Sequence, residues 1–411
     1  MKKKHILYIT YDGLTDFLGQ SQVLPYIMGL EEQGYRFSIL SFEKPEKFES
    51  NKYIIEELIS SRDINWYPKK YHKRFSILAT IWDLIMGIFF LRKLYNKDAF
   101  QAVHSRSYIS AIMGLLSKQY FKTKFIFDMR GFWADERVDG GLWNLRNPVF
   151  KMVYIFFKWI EKKCLLNADY VVTLTQNSYL EMKQWGYVSD KINFKIIPCC
   201  ADLEIFSVKN IVTELFQQKK QLLNIEDKIV VSYLGSIGTW YMIDEMFDYY
   251  KVFKTQISNA VFLFITPENE SDIVKIALKH GLSKDDIRVV KAQRKEVPYY
   301  ISMSQFSLFF IKPSYSKKSS SPTKLAEIMA MGIPVICNDN VGDVKEQVES
   351  AKAGVVLSDF DERSYVRSVL NLKNNLNELF QRQRAVDYVE SHFSLKRGVS
   401  LYAEIYRDVL V

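Results

Sequence analysis

The sequence contains few of the residues that build metal, redox or proton-transfer sites. Its 411 residues include four cysteines and five histidines. The cysteines, which follow no metal-ligand spacing, are Cys164, Cys199, Cys200 and Cys337. Adjacent cysteines bond to each other only with strain, so free thiols in a reducing compartment fit better than a disulfide framework. We identify no Asp-x-Asp metal-binding motif beside a strand, and we predict no metal site.

Acidic residues are outnumbered by basic ones, 47 to 56, which gives a net charge of +9. The sequence pI of about 9.0 favours an anionic partner, either nucleic acid, a membrane surface or a phosphorylated small molecule. The sequence has no RNA-binding signature, no zinc-finger spacing and no long basic tail. We therefore predict no nucleic-acid partner.

Long apolar runs are also missing. The first, Ile6–Thr10, is followed at once by Asp12 and Gly13, so we interpret it as a strand and not as a signal peptide. The longest, Phe75–Leu91, contains Asp83 and falls short of the roughly 20 residues that a spanning helix needs. We expect no transmembrane segment and a cytoplasmic location.

Strand-like and helix-length segments alternate along the chain. Strands are predicted at residues 5–11, 37–42, 102–105, 124–128, 170–173 and 195–197, and then at 229–234, 260–266, 287–290, 306–310 and 334–337. This alternation predicts parallel, doubly wound α/β sheets, and the length favours two domains. A polar stretch around residues 203–226 is predicted as a linker between a domain at 1–205 and another at 206–390. The tail from about Asn375 is predicted to be wholly helical, with residues 391–411 packing back on the first domain.

Ligands bind beyond the carboxyl ends of the strands in such sheets, and the loops there contain candidate residues. The loop after the first strand contains Gly13 and Gly19, which let backbone N–H groups approach a phosphate. It is not a G-x-G-x-x-G fingerprint, which disfavours a nicotinamide cofactor. Gly235 follows the first strand of the second domain in the same way. In both loops the alternative is that the glycines only turn the chain.

Charged residues and aromatics gather in the loop 128–136, directly after a predicted strand. Arg130 is placed there to hold a phosphate or sugar oxygens through its planar guanidinium. The alternative is a surface ion pair with Asp135 or Glu136.

The segment 312–336 is the most informative. Ser321 is predicted to cap a helix that has Pro322 at its first position and ends at Gly332. Every residue from Leu325 to Met331 except Glu327 is apolar, which predicts a helix buried on all sides.

A buried carboxylate needs a partner. For Glu327 the sequence offers two: Lys324, one turn earlier on the same helix, or the diol of a bound ribose with phosphates at the helix start.

The order of these segments resembles family 4 of the retaining glycosyltransferases, over essentially the whole chain. Residues 321–336 resemble its donor-binding segment, residues 197–206 resemble the close of its first domain, and residues 296–314 resemble its element under the nucleotide base. The resemblance implies the α/β GT-B fold, in which two Rossmann-like, doubly wound domains face a central cleft. The N-terminal domain would be on the acceptor side and the C-terminal domain would bind a nucleotide-sugar donor.

The resemblance also implies residue roles. Glu327 matches the glutamate that holds the ribose hydroxyls, and residues 319–323 match the loop whose N–H groups meet the diphosphate and the sugar. Gly13 and Gly19 match the loop that flanks the diphosphate. Arg130 stands where many members have a histidine that touches the donor sugar.

The chain departs from the family at other positions. Ser319 replaces the first glutamate of the motif, and Ser236 and Trp240 stand near an Arg and a Lys that many members place on the diphosphate. The lysines left to supply that charge are Lys312, Lys317, Lys318 and Lys324.

We therefore predict Arg130, Asp128 and Lys324 as catalytic residues. The predicted donor-binding residues are Gly13, Gly19, Gly235, Ser236, Arg294, Lys312, Ser320, Ser321, Pro322, Thr323, Leu325 and Glu327. We expect no cofactor, because the UDP- or GDP-linked sugar is a substrate.

The expected reaction moves this sugar to the hydroxyl of a glycan or lipid-linked glycan in cell-surface polysaccharide assembly, with retention of anomeric configuration. Cations and aromatics at residues 66–75 indicate peripheral contact with an anionic membrane at its cytoplasmic face, or else a solvated basic loop before an ordinary helix. The alternative functions are a nucleotide-sugar epimerase, for which His104 is the best-placed acid/base residue, and an inactive sugar-nucleotide-binding scaffold.

Overall fold

The computed structural model describes residues 3–73, 76–374 and 382–410 and divides into two compact units. The first comprises Met1–Pro198 with Leu395–Val411, and the second comprises Cys199–Ser394. The chain thus leaves the first unit after Pro198 and re-enters it at Leu395, where the sequence had placed these passages after residues 205 and 390.

The first unit contains a seven-stranded parallel sheet in the order β3-β2-β1-β4-β5-β6-β7. Its strands are β1 Lys4–Thr10, β2 Tyr35–Glu43, β3 Ile64–Lys70, β4 Ala102–Arg106, β5 Lys124–Asp128, β6 Tyr170–Thr173 and β7 Phe194–Ile196. The strand order reverses between β1 and β4, which makes the carboxyl ends of these strands the expected ligand edge.

Helices cover both faces of this sheet, as apolar parallel strands require. They are α1 Phe17–Gln22, α2 Leu24–Glu32, α3 Pro45–Ile59, α4 Ser76–Lys97, α5 Ser107–Phe121, α6 Trp133–Asp139, α7 Pro148–Asn167 and α8 Gln176–Lys183. The closing helix of the chain, α17 at Leu395–Val409, packs on α2. The two helices approach closely at Gly29, where a Cβ atom would lie 2.8 Å from Cγ2 of Val399.

The second unit contains a six-stranded parallel sheet in the order β10-β9-β8-β11-β12-β13. Its strands are β8 Ile229–Leu234, β9 Ala260–Ile265, β10 Ile287–Val290, β11 Phe306–Leu308, β12 Val335–Asn338 and β13 Gly354–Leu357. Its helices are α9 Thr213–Leu222, α10 Ile243–Gln256, α11 Glu270–Lys279, α12 Val297–Ser302, α13 Thr323–Ala330, α14 Val344–Ala351, α15 Glu362–Asn374 and α16 Arg382–His392. Here the order reverses between β8 and β11.

Three local predictions from the sequence were wrong. The supposed linker contains α9, which packs Phe216 against the core of the second unit. The tail is not wholly helical, because Phe393 and Ser394 separate α16 from α17, and the Phe393 carbonyl accepts the N–H of Ala201 at 2.8 Å. Residues 375–381 of that tail lie outside the described residues.

The third error is the alternative interpretation of the basic segment at residues 66–75 as a solvated loop. Residues 66–70 belong to the edge strand β3 and do not form a loop. The indole of Trp66 donates to the hydroxyl of Ser41 at 2.8 Å, and the ammonium of Lys69 lies 3.4 Å from the ring centroid of Phe90. Arg74 and Phe75, from the same prediction, lie outside the described residues.

Candidate functional site

In the second unit a buried lysine lies where the strand order reverses. Lys324, in the first turn of α13, places its ammonium 3.8 Å from the ring centroid of Tyr241 and 4.3 Å from that of Tyr233. The Lys324 side chain is buried, and its ammonium has no hydrogen-bond partner among the described residues. Burial lowers the pKa of Lys324 well below its usual range, and the negative charge of Glu327 only partly opposes this.

Gly235 leaves space beside that ammonium. Its φ of +115° is a conformation that side chains other than glycine rarely adopt, and a Cβ atom there would lie 3.0 Å from Nζ of Lys324. The Gly235 N–H donates to the Ile265 carbonyl at 2.9 Å, so it extends the sheet. The carbonyl of the next residue, Ser236, accepts the hydroxyl of Tyr233 at 2.7 Å. Gly235 therefore leaves room for the lysine, and its own N–H is bound within the sheet; its role at the donor stays a prediction.

Glu327 pairs with Arg294, not with Lys324. Nη1 of Arg294 lies 3.0 Å from Oε1 of Glu327, across 33 residues of sequence. Burial raises the pKa of the Glu327 carboxyl, and the guanidinium of Arg294 opposes this. The expectation of a helix buried on all sides is confirmed, since every residue from Lys324 to Ala330 is buried.

The start of α13 differs from its prediction. The helix begins at Thr323 with Pro322 as N-cap, and the hydroxyl of Ser321 instead accepts the N–H of Cys199 at 3.1 Å. Leu325 is buried and its N–H donates to the Pro322 carbonyl at 3.0 Å. The first N–H groups of an α-helix have no partner within it, so this end can donate to an anion.

The other lysines near α13 have different surroundings. The ammonium of Lys317 lies 3.7 Å from the ring centroid of Trp240, and that of Lys318 lies 5.4 Å from the ring centroid of Tyr315. Lys312 is exposed, and the N–H of Ser320 donates to the Lys317 carbonyl at 3.1 Å. Lys317 and Lys324 are both buried, and Lys324 is the one whose ammonium lies beside Gly235 at the strand-order reversal.

In the first unit, Asp128 ends β5 and lies in a buried polar cluster. Its Oδ2 accepts the hydroxyl of Tyr402 at 3.0 Å, and the nearest guanidinium nitrogens of Arg106 and Arg130 both lie 3.9 Å from the carboxylate. Burial alone would raise the pKa of Asp128, but Arg130 and its other cationic neighbours lower it. Arg106 also reaches Asp12 at 3.3 Å across the reversal of strand order. The sequence analysis did not identify Arg106 or Tyr402.

Arg130 is largely buried and has a φ of +58°, a left-handed conformation for a residue with a side chain. The alternative of a pair with Asp135 is wrong, because that carboxylate accepts the hydroxyl of Tyr154 at 2.8 Å and pairs with Lys158 at 2.9 Å. A strained backbone at a strand's carboxyl end is typical of functional positions.

The loop with Gly13 and Gly19 is closed by Glu43, at the end of β2. The buried Glu43 carboxylate accepts the N–H groups of Leu14 and Thr15 at 2.8 and 3.1 Å. A Cβ atom on Gly19 would lie 2.1 Å from the Gly13 carbonyl oxygen. These glycines therefore serve close packing of the loop, and two of its N–H groups are already bound.

His104 is a core residue. It is buried, its Nδ1 lies 2.8 Å from the Tyr406 hydroxyl, and burial lowers its pKa. A neutral, enclosed imidazole is a poor candidate for the acid/base residue of an epimerase.

An Asp-x-Asp sequence does follow a strand. Asp359-Phe360-Asp361 lies one residue beyond β13, a strand that was not predicted from the sequence. The Asp361 carboxylate accepts the N–H of Ser364 at 2.7 Å at the start of α15. No group of three potential metal-ligating residues occurs within residues 3–73, 76–374 and 382–410.

Two family models together match most of the chain. A family model described as Glycosyltransferase Family 4 matches residues 22–205, and one described as Glycosyl transferases group 1 matches residues 216–387. No curated protein matches the chain by sequence.

Solved structures share the fold at low identity. Sucrose-phosphate synthase from Thermosynechococcus elongatus is 16% identical, with a TM-score of 0.72 over 99% of each chain. HepE of Anabaena, in complex with UDP and glucose, is 12% identical, with a TM-score of 0.70 over 98% of this chain and 100% of that one. A putative UDP-N-acetylglucosamine 2-epimerase from Listeria monocytogenes is 11% identical, with a TM-score of 0.61 over 99% of this chain and 96% of that one. Together with the two parallel sheets, these likenesses confirm the predicted α/β fold of the GT-B type.

Proposed function

This chain belongs to the family 4, group 1 glycosyltransferases, and from that premise we propose that it transfers a sugar from a nucleoside-diphosphate donor to an acceptor hydroxyl with retention of anomeric configuration. The donor is a nucleoside-diphosphate sugar, the class to which the UDP-glucose bound in a structure of HepE belongs. The second unit binds the nucleoside diphosphate and the first contributes Arg130 and Asp128.

The observation that carries this proposal is the buried group formed by Lys324, Glu327 and Arg294 around α13. Departure of a nucleoside diphosphate develops negative charge, and preorganised cations and N–H groups in a water-poor site stabilise such charge most. Lys324 and the N-terminus of α13 meet the diphosphate, and Glu327 accepts hydrogen bonds from the ribose hydroxyls.

Retention follows if the acceptor oxygen bonds to the anomeric carbon on the face that the leaving phosphate vacates. The bond from that carbon to the phosphate oxygen breaks, and the acceptor proton passes to the departing phosphate. In this proposal the chain itself, without a metal ion, neutralises the diphosphate, and Asp128 holds the guanidinium of Arg130 toward the sugar.

Arg130→Lys is expected to lower kcat by about tenfold or more at saturating donor, because a point charge cannot reproduce the planar fork. A thermal melt separates this from damage to the fold: a purely structural role would lower Tm and leave kcat unchanged. A normal kcat in this variant would remove Arg130 from the proposed mechanism.

For the acceptor we propose a lipid-linked glycan of cell-surface polysaccharide assembly, reached at the cytoplasmic face of an anionic membrane. The net charge of +9 and the exposed cations of the first unit support this choice. None of the described helices is long and apolar enough to cross a bilayer.

One experiment tests the function against its alternatives. The protein is incubated with UDP- and GDP-sugars and a glycolipid acceptor, with and without EDTA, and the products are followed by NMR. We expect free nucleoside diphosphate, a product with the donor's anomeric configuration, and equal rates in both arms. Epimerised nucleotide sugar alone would support the epimerase, whose fold this chain also resembles, and binding without turnover would support the scaffold. Activity that EDTA abolishes and Mn²⁺ restores would contradict neutralisation by the chain alone.

A further inference from the structure

Helix α4 shows the reverse of the pattern expected for a helix facing water. Its outward positions include Leu78, Trp82 and Phe89, with exposed fractions of 68%, 55% and 69%. The acidic residue of this helix, Asp83, points inward, where it accepts the Tyr11 hydroxyl at 2.8 Å and the His72 N–H at 3.1 Å. A helix on a water-facing surface places its apolar residues inward and its charges outward.

Helix α7 repeats this reversal. Met152, Ile155 and Trp159 are 66%, 56% and 51% exposed. The acidic residue of α7, Glu161, is fully buried and pairs with Lys158 at 2.6 Å. Both helices therefore expose an apolar stripe and bury their acidic residue, which indicates a shared function for the two exposed faces.

The two stripes lie on the same side of the sheet. Helices α4, α5 and α7 lie in the connections from β3 to β4, β4 to β5 and β5 to β6, which all advance in the same direction along the strand order from β3 to β7. Right-handed crossovers put such helices on one face, running parallel to one another. Helix α5 packs against both α4 and α7, so it lies between them. The apolar N-terminal halves of α4 and α7 therefore point the same way.

Cations follow the apolar residues along both helices. Arg92, Lys93 and Lys97 are exposed near the end of α4, and Lys162 and Lys163 are exposed on α7. Asp83 and Glu161 are the acidic residues of these helices among the described residues, and both are buried. The outward faces of the two helices are therefore apolar and basic, with no exposed carboxylate of their own.

We propose that the outward faces of α4 and α7 form a docking surface for an anionic lipid bilayer, with Trp82 and Trp159 at the level of the headgroups. Tryptophan is typical of that level, and lysine and arginine beside it meet anionic headgroups. The helices lie on the bilayer, since no described helix is long and apolar enough to span it. A second copy of the chain is a poorer occupant, because these faces have no exposed carboxylate of their own to pair with the cations of the other copy.

This surface is distinct from the basic segment at residues 66–75 that the sequence suggested. It does not depend on the donor chemistry, so its test and that of the proposed function can fail separately. If both hold, docking would bring the first unit to a lipid-linked acceptor.

The test is sedimentation with vesicles of phosphatidylcholine alone or mixed equally with phosphatidylglycerol, at low salt. Wild-type protein should bind the mixed vesicles, and Trp82→Gln/Phe89→Gln/Trp159→Gln should lower the partition coefficient by at least about tenfold. The matched control is Tyr53→Gln/Ile54→Gln/Leu58→Gln on α3, where these residues are exposed but the helix lies on the other face of the sheet. A thermal melt with an unchanged midpoint in all variants reports an intact fold.

A charge variant keeps the proposal testable if the apolar variant does not fold. Arg92→Gln/Lys93→Gln/Lys162→Gln/Lys163→Gln should release the protein from the mixed vesicles, and added salt should imitate it. The proposal would be overturned if wild-type protein did not bind the mixed vesicles. It would also be overturned if the α3 control variant lost as much vesicle binding as the apolar variant. A dimer that dissociates in the apolar variant, without lipid binding by wild type, would assign the face to a second copy.

Discussion

Lys324→Met is expected to lower kcat by about 100- to 1,000-fold and to raise Tm at neutral pH. The loss in rate follows because this ammonium is buried without a hydrogen-bond partner among the described residues, and removing one group that stabilises developing charge typically has an effect of that size. The gain in stability follows because a lysine enclosed by Tyr233 and Tyr241 loses its hydration, whereas methionine fills the same space without a charge. Steady-state kinetics beside a thermal melt measure both effects.

The lowered pKa of Lys324 gives a second readout with a definite sign. In the unfolded chain this lysine titrates near 10.5, and in the folded protein burial holds its pKa well below that value. Between the two values the unfolded state binds more protons, so wild-type stability falls as pH is lowered through this window and levels off below the folded pKa. A bound diphosphate favours the protonated lysine, so donor binding should take up a proton and weaken as pH rises.

Calorimetry in buffers of different ionisation enthalpy measures that proton uptake, which should vanish in Lys324→Met. The matched control is Lys318→Met, which removes an exposed lysine near the same helix. A larger loss of kcat in the control than in Lys324→Met would mean that Lys324 had been wrongly chosen among the four lysines.

Glu327→Ala is expected to weaken the binding of UDP or GDP about 10- to 150-fold, which corresponds to about 1.5–3 kcal/mol for charge-assisted hydrogen bonds to the ribose. Without ligand, the carboxylate is held by Arg294 at 3.0 Å, so it is already oriented before the nucleotide arrives. Isothermal titration calorimetry of the variant gives the affinity directly.

The control for Glu327 is Asp286→Ala in the same unit. Like Glu327, Asp286 is a buried carboxylate with a cationic partner, which here is Lys254. Asp286 precedes β10, however, and so lies at the opposite edge of the sheet. This variant should lose stability and keep its nucleotide affinity. Equal affinities in wild type and Glu327→Ala would show that the ribose is held elsewhere.

The sequence predicted the fold well because parallel strands buried on both faces are continuous apolar runs. The prediction failed where a segment is stabilised by distant contacts. Helix α9 is polar along most of its length, and its place depends on Phe216 meeting a core assembled from other segments. The short strand β13 has mixed burial and begins at Gly354, so it gives a weak local signal.

The features of the candidate site were likewise predicted where the signal is local in sequence and missed where it depends on distant contacts. Glu327 could be identified because a single charge on an apolar helix is visible locally. Arg294 was predicted as a donor-binding residue, but its pairing with Glu327 was not, because the two come from different segments. Ser321 was given a capping role that it does not have, since its hydroxyl oxygen accepts the N–H of Cys199. The roles of Gly13 and Gly19 at the diphosphate stay predictions. The sequence does not reveal that Glu43, from the end of β2, binds the N–H groups of Leu14 and Thr15 in the same loop.

The return of the chain to the first unit has a consequence for biosynthesis. Tyr402 donates to Asp128 across 274 residues, and Tyr406 contacts His104 across 302 residues. The ribosome makes the whole second unit between these partners, so the nascent first unit must wait, with Gly29 and the polar groups of its sheet uncovered, until α17 emerges. Asp128 can thus acquire its final surroundings only after the second unit has been synthesised, and a stalled or prematurely terminated chain would contain an incomplete first unit.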